Sequence, residues 1–324
     1  MDLYTGIPTI LGNLPALNAW PELRQTLDRA AAKKPRNWQL PVAAGRAVGG
    51  RPAHAIYAAA AIACAETSIL LIDDMLDSDP RGEYWRIGMP ATANLASALQ
   101  AAAMEVIFLA QVAEEPKLLA VASLAEMLNT VASGQYRDGQ GSLDEPTYWQ
   151  IVQAKSGAFF GSALYLGAIF GGASDPLARQ MKRLGHVYGE MVQIHDDLRD
   201  ALLPSANSDW LPGRSTLPIL YAQVAEHSER ERFAALRVAA AHDPTALAEA
   251  QAILIRCGAI CYGVHHLLLC RQQAQVLMRC FPVTAQAELE GLLNGLMEPV
   301  RGLFTEAGVD PSELMASCRN VQAE

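Results

Sequence analysis

The sequence predicts an all-α protein, and three observations lead to this prediction. Apolar residues recur at the helical period of 3.6 residues along most of the chain. No run of alternating polar and apolar residues indicates a β-strand. Glycine and proline interrupt the helical pattern at Gly49-Gly50, Pro80-Arg81-Gly82 and Pro204–Gly213, where helices should end. We therefore expect one domain of roughly ten helices over residues 1–324.

The helical pattern divides into segments that are separated by these and similar interruptions. In chain order the segments are Leu17–Ala32, His54–Asp77, Ala91–Ala113, Pro116–Ala132, Tyr148–Phe170, Asp175–Leu202, Ser215–Ala225, Thr245–Met278 and Ala285–Thr305. The segment at Asp175 begins with a capping residue followed by proline, as helices commonly do. The charged residues 229–232 are expected to form a solvated turn or helix face.

One uncharged stretch comes close to the length of a membrane-spanning helix. Ser156–Ser174 carries no charged side chain and approaches the roughly 20 residues that such a helix needs. The stretch also contains several glycines and lies between segments with charged faces. These features favour a fully buried central helix, and we predict no membrane span.

Composition and charge exclude several classes of protein. The chain has 324 residues, of which 51% are hydrophobic and 18% charged, so it can bury a large core and is not disordered. Its net charge of −9 argues against a nucleic-acid partner, because affinity for phosphate backbones depends on Lys and Arg. The N-terminus does not resemble a secretory signal. The six cysteines lie mostly in apolar, helix-like sequence, which predicts reduced thiols and a cytoplasmic protein.

Two aspartate clusters are the strongest chemical signal in the sequence. Residues Asp73–Asp77 and Asp196–Asp200 both have the pattern D-D-x-x-D. On a helix, the first and last aspartates of each cluster are four residues apart, so their carboxylates project from one face. Each cluster follows an apolar run. We therefore expect each to lie where a buried helix reaches a cavity or the surface.

Clustered carboxylates predict a cation site. They repel one another and are costly to bury unless cations neutralise them. Mg²⁺ suits them, because it prefers oxygen ligands and commonly binds one or two carboxylates together with substrate phosphates. A single cluster of this kind could simply be the acidic end of a helix. Two such clusters in one chain favour a cation site that both of them form. The predicted ligands are Asp73, Asp74, Asp77, Asp196, Asp197 and Asp200.

Further motifs resemble those of the trans-isoprenyl diphosphate synthases, the polyprenyl synthetase family that includes farnesyl and geranylgeranyl diphosphate synthases. The resemblance covers most of the chain, with six motifs in the family's order. The matching segments are Gly49–Asp77 (linker and first aspartate helix), Pro80-Arg81-Gly82 (Arg-Arg-Gly), Gly134-Gln135 with Asp138 (Gly-Gln-x-x-Asp), Lys155-Ser156-Gly157 (Lys-Thr-Gly), Gln193–Asp197 (Gln-x-x-Asp-Asp) and Asp209–Leu220 (Asp-x-x-x-Gly-Lys-x-Thr-Leu-Pro).

The resemblance implies a fold, a reaction and roles for residues. The fold would be a helical isoprenoid synthase bundle around a central apolar cavity, and the protein a homodimer. The six aspartates would bind three Mg²⁺ ions per active site, with Mn²⁺ as a substitute. Lys155 and Arg214 would contact the diphosphate of an allylic prenyl diphosphate, and Gln193 would line the same pocket. The allylic diphosphate would ionise, the double bond of isopentenyl diphosphate would attack, and the leaving diphosphate would take the released proton.

The departures from the family concentrate where isopentenyl diphosphate would bind. Lys33–Trp38 stands in place of Gly-Lys-Arg-x-Arg-Pro, and there Lys34 and Arg36 keep part of the positive charge; Gly49–Pro52 is a rival remnant of this motif. Glu66 occupies the position of the family's His or Gln. A carboxylate there would repel a diphosphate by about 1–4 kcal/mol unless an Arg or Lys pairs with it.

Two other motifs also keep only part of the family's pattern. Only Arg81 remains of the Arg-Arg pair, and Arg214 replaces a Lys.

Three functions stay open at this point. The chain is a prenyltransferase that couples the allylic group to isopentenyl diphosphate or another acceptor, a terpene synthase-like enzyme that cyclises or hydrolyses a preformed prenyl diphosphate, or a non-catalytic partner subunit of a heteromeric synthase. The intact aspartates speak against the last.

Two positions that lack an aromatic side chain predict the length of the prenyl chain. In the family, bulky aromatic residues four and five positions before the first motif close the tunnel. Ile69 and Ser68 stand there in this chain. We therefore expect the pocket to accept chains longer than farnesyl, and Ser68→Phe to shorten the product.

Overall fold

The computed structural model describes residues 2–141, 144–211 and 216–306, and it confirms the all-α prediction. These residues form sixteen α-helices and no strand. The helices are α1 (Leu3–Leu11), α2 (Pro15–Ala19), α3 (Pro21–Ala32), α4 (Leu40–Ala47), α5 (Pro52–Asp77), α6 (Tyr84–Ile87), α7 (Met89–Phe108), α8 (Glu114–Asp138), α9 (Glu145–Val152), α10 (Ala158–Phe170), α11 (Asp175–Ala201), α12 (Leu217–Val224), α13 (Arg230–Ala240), α14 (Pro244–Arg256), α15 (Ala259–Met278) and α16 (Val283–Glu306).

The prediction of roughly ten helices was too low for two reasons. Several predicted segments are divided into two helices, and the shortest helices are too short to show a helical period. Thr245–Met278 forms two helices, since Gly258 adopts a φ of +85° that a helix does not allow. A π-helical turn, Gln153–Gly157, separates α9 from α10. Residues 230–232 form the exposed first turn of α13, in agreement with the expected solvated helix face.

The core forms around α5 and α10, which are apolar on all sides. Residues 58–65 of α5 are completely buried, and seven of these eight side chains are Ala or Cys. Small side chains let the neighbouring helices approach closely, and α5 packs on α4, α7 and α10. All of α10 is buried. The prediction of a buried central helix in the uncharged stretch is therefore confirmed for Ala158–Phe170.

Two glycines of α11 allow the closest helix contact near the aspartates. A Cβ atom at Gly185 would lie 2.4 Å from the carbonyl oxygen of Phe160, and one at Gly189 would lie 2.5 Å from that of Ser156. Both distances are shorter than van der Waals contact, so larger residues would force the helices apart. The glycines thereby hold the second aspartate helix against the π-helical turn and α10.

Two other helices are long and apolar enough to cross a membrane by length and composition. They are α5 and α7, and the apolar windows of the two are 67% and 44% buried inside the protein. Because α5 and α7 meet the length and composition criteria, the structure does not confirm the predicted absence of a membrane span. Both helices nevertheless contribute to the main hydrophobic core.

Candidate active site

One cavity of about 400 Å³ brings the two aspartate clusters together. Asp73 and Asp77 line it from α5, and Asp196, Asp197 and Asp200 line it from α11. Its remaining walls come from the 3₁₀ turn at residues 36–39, from α8, α9, the π-helical turn and α10, and from residues 209 and 216. The other lining residues are Asn37, Glu66, Ile69, Leu70, Val131, Asp138, Tyr148, Ile151, Val152, Lys155, Ser156, Phe159, Phe160, Val192, Gln193, Arg199, Asp209 and Thr216. Carboxylates and apolar side chains thus share one enclosure.

Helical geometry divides the first cluster. Asp73 and Asp77 lie on the face of α5 that borders the cavity, whereas Asp74 is rotated by about 100° and is not among the lining residues. Burial raises the pKa of Asp74 to about 6, and Asp79 and Asp73 add to the rise, while Lys33 and Arg81 oppose it. Asp74 therefore contributes charge beside the cavity rather than within it.

Asp197 of the second cluster is buried and fully engaged by hydrogen bonds. The Tyr148 hydroxyl donates to Oδ2 over 2.8 Å, and the backbone N–H of Leu217 donates to the same oxygen over 2.8 Å. The Gln193 amide donates to Oδ1 over 2.8 Å. Ser156 in turn donates to the Gln193 side-chain oxygen over 2.9 Å. Asp197 thereby joins α9, the π-helical turn, α11 and the start of α12.

The burial of Asp197 gives a testable pH dependence of stability. Burial raises its pKa to about 7, against the opposing effect of the three hydrogen bonds. Between about pH 4, the range of an unfolded Asp, and pH 7 the folded protein therefore holds a proton that the unfolded chain has lost. We expect the free energy of unfolding, measured without Mg²⁺ or diphosphate, to fall as pH rises through this window. The maximal contribution of this group is about 1.4 kcal/mol per pH unit.

Urea unfolding of the wild type and Asp197→Asn at several pH values between 5 and 8 tests this expectation. The variant should be less stable at every pH because its amide cannot accept from all three donors. The unfolding free energy of the variant should nevertheless decline less steeply with rising pH than that of the wild type. Parallel curves for the two proteins would contradict the assignment, because other titrating groups such as Asp74 contribute equally to both.

The π-helical turn positions Lys155 between carboxylates. Its Nζ lies 2.6 Å from Oδ2 of Asp138 and 3.7 Å from Oδ1 of Asp73. Burial opposes the charged form, but the attraction of Asp138 and Asp73 outweighs it and raises the pKa of Lys155. Single π-helical turns are frequent at functional sites because the extra residue redirects side chains. Lys155 is thus a charged ammonium group held at the first aspartate cluster.

Two arginines add positive charge near the aspartates. Arg199, which lines the cavity, contacts Asp196 over 3.1 Å and Asp200 over 2.8 Å. Arg81 is exposed and bound to Asp79 over 2.7 Å, and Asp74 and Asp200 also contribute to the rise of its pKa. Arg81 therefore lies in the field of both clusters, outside the cavity wall.

The cations predicted for a second diphosphate are not brought to the cavity. Lys34 and Arg36 are exposed and are not lining residues. Asn37, one residue further, lines the cavity instead and donates to Oε1 of Glu66 over 2.6 Å. Burial raises the pKa of Glu66, while Asn37 and Trp38 lower it. Arg214 lies outside the described residues.

A second cavity of about 560 Å³ shares a wall with the first. Ile69, Val131, Asp77 and Asp138 line both cavities, and Ile72, Leu76 and Leu128 are among the residues that continue the apolar wall. Ser68 is completely buried and lines neither cavity. The expectation that Ser68→Phe shortens the product therefore needs correction, since that side chain points into the core.

Ile69 is the position that should control chain length. We expect Ile69→Phe to reduce, by at least one isoprene unit, the length of the longest allylic diphosphate that is accepted, because the ring would fill space at the wall that the two cavities share. Product analysis by mass spectrometry with geranyl, farnesyl and geranylgeranyl diphosphates measures this. Ser68→Phe should instead overpack the core at a cost of about 1–3 kcal/mol and lower the melting temperature. Unchanged use of the longest substrate by Ile69→Phe would contradict the prediction.

The chemistry of the lining side chains fits a hard cation such as Mg²⁺. Eight carboxylates line the cavity that holds both aspartate clusters, and among the described residues only Lys155 and Arg199 line it as full cations, so added positive charge would relieve the repulsion. In the described part of the chain, no three His, Cys, Asp or Glu side chains are close enough to hold a metal by themselves. A diphosphate would have to supply further oxygen ligands, as is usual for Mg²⁺.

Several residues of the cavity were not predicted as site residues. Asp138 belongs to the Gly-Gln-x-x-Asp motif, so its motif could have indicated its contact with Lys155. Asp209 likewise begins a matched motif. Tyr148 and Asn37 had no comparable signal, because their contacts with Asp197 and Glu66 join residues far apart in the chain.

The sequence matches the Polyprenyl synthetase family over residues 23–254. The short chain isoprenyl diphosphate synthase of Methanothermobacter thermautotrophicus is 28% identical over 268 residues, which cover 76% of this chain and 81% of that protein. The nonaprenyl diphosphate synthase of Mycobacterium tuberculosis is 33% identical over 145 residues, 42% of this chain and 43% of that protein. The match to the latter therefore spans less than half of its length.

The fold is also that of solved synthases. The geranylgeranyl pyrophosphate synthetase from Pyrococcus horikoshii aligns with a TM-score of 0.79 and 21% identity, covering 91% of this chain and 94% of that one. The enzyme from Geoglobus acetivorans aligns with a TM-score of 0.76 and 23% identity, covering 91% and 95%. The predicted family and helical bundle are thereby confirmed, and this chain belongs to the polyprenyl synthetase family of prenyltransferases.

Proposed function

We propose that the protein ionises an allylic prenyl diphosphate in a Mg²⁺-dependent reaction and transfers the prenyl group to isopentenyl diphosphate or another acceptor. One observation carries this proposal. The aspartates of α5 and α11 line a single cavity together with Lys155, Gln193 and an apolar wall. A site of this composition binds a diphosphate at one end and a hydrocarbon chain at the other.

Each part of the cavity has a role in this reaction. Asp73, Asp77, Asp196 and Asp200 would hold Mg²⁺, and Lys155 would bind the diphosphate of the substrate. Bound Mg²⁺ supplies Lewis-acid stabilisation of the departing diphosphate. The rings of Phe159 and Phe160 form an apolar wall that excludes water from the carbocation. Gln193 orients the side chain of the buried Asp197.

A terpene synthase-like reaction is the second candidate, and the surroundings of Glu66 favour it. The position carries a carboxylate bound to an amide rather than a cation. An enzyme that binds isopentenyl diphosphate poorly would cyclise the allylic cation or let water capture it. The intact aspartates and Lys155 speak against a non-catalytic partner subunit.

The products formed from defined mixtures test these candidates. The purified protein is incubated with Mg²⁺ and geranyl, farnesyl or geranylgeranyl diphosphate, with and without isopentenyl diphosphate, and extracts are analysed by mass spectrometry. Longer prenyl diphosphates formed only with both substrates would support elongation. A hydrocarbon or alcohol formed from the allylic substrate alone would support the second candidate. Absence of diphosphate release in every mixture would contradict the proposed function.

We also propose the remaining features that the resemblance implies. The chain would form one domain over residues 1–324, act in the cytoplasm and assemble as a homodimer, without a membrane span. The apolar helices α5 and α7 would serve as core and interface helices. Three Mg²⁺ ions per site and substitution by Mn²⁺ stay predictions, which metal titration of activity would test.

A further inference from the structure

The end of the cavity away from the aspartates contains the carboxyl group of Glu66, which forms no ion pair with any Lys or Arg of the described residues. Glu66 lies two helical turns before Asp73 on the same face of α5, about 10 Å along the helix axis. Both residues line the cavity. One helix therefore presents carboxylates to both ends of the same enclosure.

In the part of the chain that the structure describes, the partners of Glu66 supply no positive charge. Asn37 donates one hydrogen bond to Oε1. Oε2 is buried without a hydrogen bond, although the Trp38 indole lies close enough to favour the charged form. Apart from burial, Asn37 and Trp38 are the groups of the described chain that shift its pKa appreciably, and no Lys or Arg is among them. Glu66 thus has acceptor capacity that the protein does not use.

Among the described residues, both cations that line the cavity lie at the aspartates and not at Glu66. Lys155 contacts Asp138 and Asp73, and Arg199 contacts Asp196 and Asp200. A second diphosphate at Glu66 would meet a carboxylate and an amide, whereas the first would meet the cations. The charge distribution therefore selects against a second anion in the acceptor position and favours a donor of hydrogen bonds.

We propose that the acceptor is a neutral molecule with an O–H or N–H group, which donates a hydrogen bond to Glu66. This inference rests on the proposed function, since it names the second substrate of the same site. In the transfer step the C–O bond of the allylic diphosphate breaks and its electron pair leaves with diphosphate. A lone pair of the acceptor oxygen or nitrogen forms the new bond to carbon, and its proton passes to the Glu66 carboxylate and then to solvent.

Glu66→Gln tests the proposal with p-cresol as the neutral probe, 4-methylanisole as its analogue without a donor, and isopentenyl diphosphate as the anionic acceptor. All assays contain geranylgeranyl diphosphate and Mg²⁺. The wild type should prenylate p-cresol and not 4-methylanisole. In the variant, transfer to p-cresol should fall by at least about tenfold, and kcat/KM for isopentenyl diphosphate should rise by about tenfold, because the repulsion is removed. Glu105→Gln, on the exposed surface of α7, is the matched control.

Asn37→Arg provides a second variant that leaves Glu66 in place. An arginine would pair with the carboxylate, so isopentenyl diphosphate should again become a better acceptor. Melting curves confirm that each variant is folded. The proposal is overturned if the wild type does not transfer to p-cresol, or if it elongates with isopentenyl diphosphate as efficiently as both variants. Release of inorganic diphosphate is measured in parallel, and its absence in the wild type would contradict the proposed function itself.

Discussion

Asp73→Asn is expected to lower kcat/KM for the allylic diphosphate by on the order of 10²–10³-fold, the range found when one preorganised electrostatic contact is removed from an active site. Asp73 lines the cavity and lies 3.7 Å from the ammonium of Lys155. The amide keeps the size of the side chain but cannot replace the charge of a carboxylate ligand. Asp196→Asn should have a comparable effect from the opposite wall. Steady-state kinetics over a range of Mg²⁺ concentrations measures both.

Asp73 and Asp74 allow a comparison of two variants within the first aspartate cluster. Asp74 is not a lining residue, so Asp74→Asn should lower activity much less than Asp73→Asn. Asp28→Asn, in an exposed ion pair with Arg24, should leave kinetics unchanged. Higher Mg²⁺ should partly restore Asp73→Asn, because a weakened site fills at higher concentration. Equal activity of Asp73→Asn, Asp196→Asn and the wild type would refute the active site as described.

Lys155→Met is expected to lower kcat/KM by a similar factor, on the order of 10²-fold. The ammonium of Lys155 is the only lysine charge on the described cavity wall. Methionine removes that charge while retaining an unbranched apolar side chain. It also removes the ammonium that lies between Asp138 and Asp73, which raises the cost of bringing a diphosphate close to these carboxylates. The loss should appear mainly in KM for the allylic diphosphate, and diphosphate release is the measurement.

A second lysine offers a matched control for this substitution. Lys182 lies 2.6 Å from Glu126 on the outside of α11 and forms an ion pair like that of Lys155. Lys182→Met should change stability by about 1 kcal/mol or less and leave activity intact. Lys155→Arg should recover part of the activity, since the charge is retained but its position differs. Equal losses in Lys155→Met and Lys182→Met would indicate a general folding defect instead.

The sequence was sufficient to predict the bundle and the convergence of the aspartates on one cavity. Helical period and two repeated motifs carry this information locally, because residues four positions apart share a face in any helix. Which aspartates of each motif face the cavity was not predicted. Asp74 and Asp197 occupy the same place in their motifs, yet only Asp197 lines the cavity, and the packing of α5 and α11 causes this difference.

Other parts of the site depend on contacts that no local pattern encodes. The partner of Glu66 is Asn37 from a 3₁₀ turn, and that of Asp197 is Tyr148 from α9. The break at Gly258 was missed because apolar periodicity continues through it. Ser68 and Ile69 were treated alike as neighbours in sequence, whereas a rotation of about 100° per residue places one in the core and the other on the cavity wall.

Glu66 and Asp73 lie on one face of α5, so this single helix fixes the distance between their side chains. The two residues are seven positions apart, which is almost two complete helical turns. Deleting or inserting one residue between them would rotate one end by about 100° relative to the other. In the proposed reaction, a change in the number of residues between Glu66 and Asp73 would therefore displace the acceptor relative to the leaving group, whereas a substitution on the cavity face would keep their spacing.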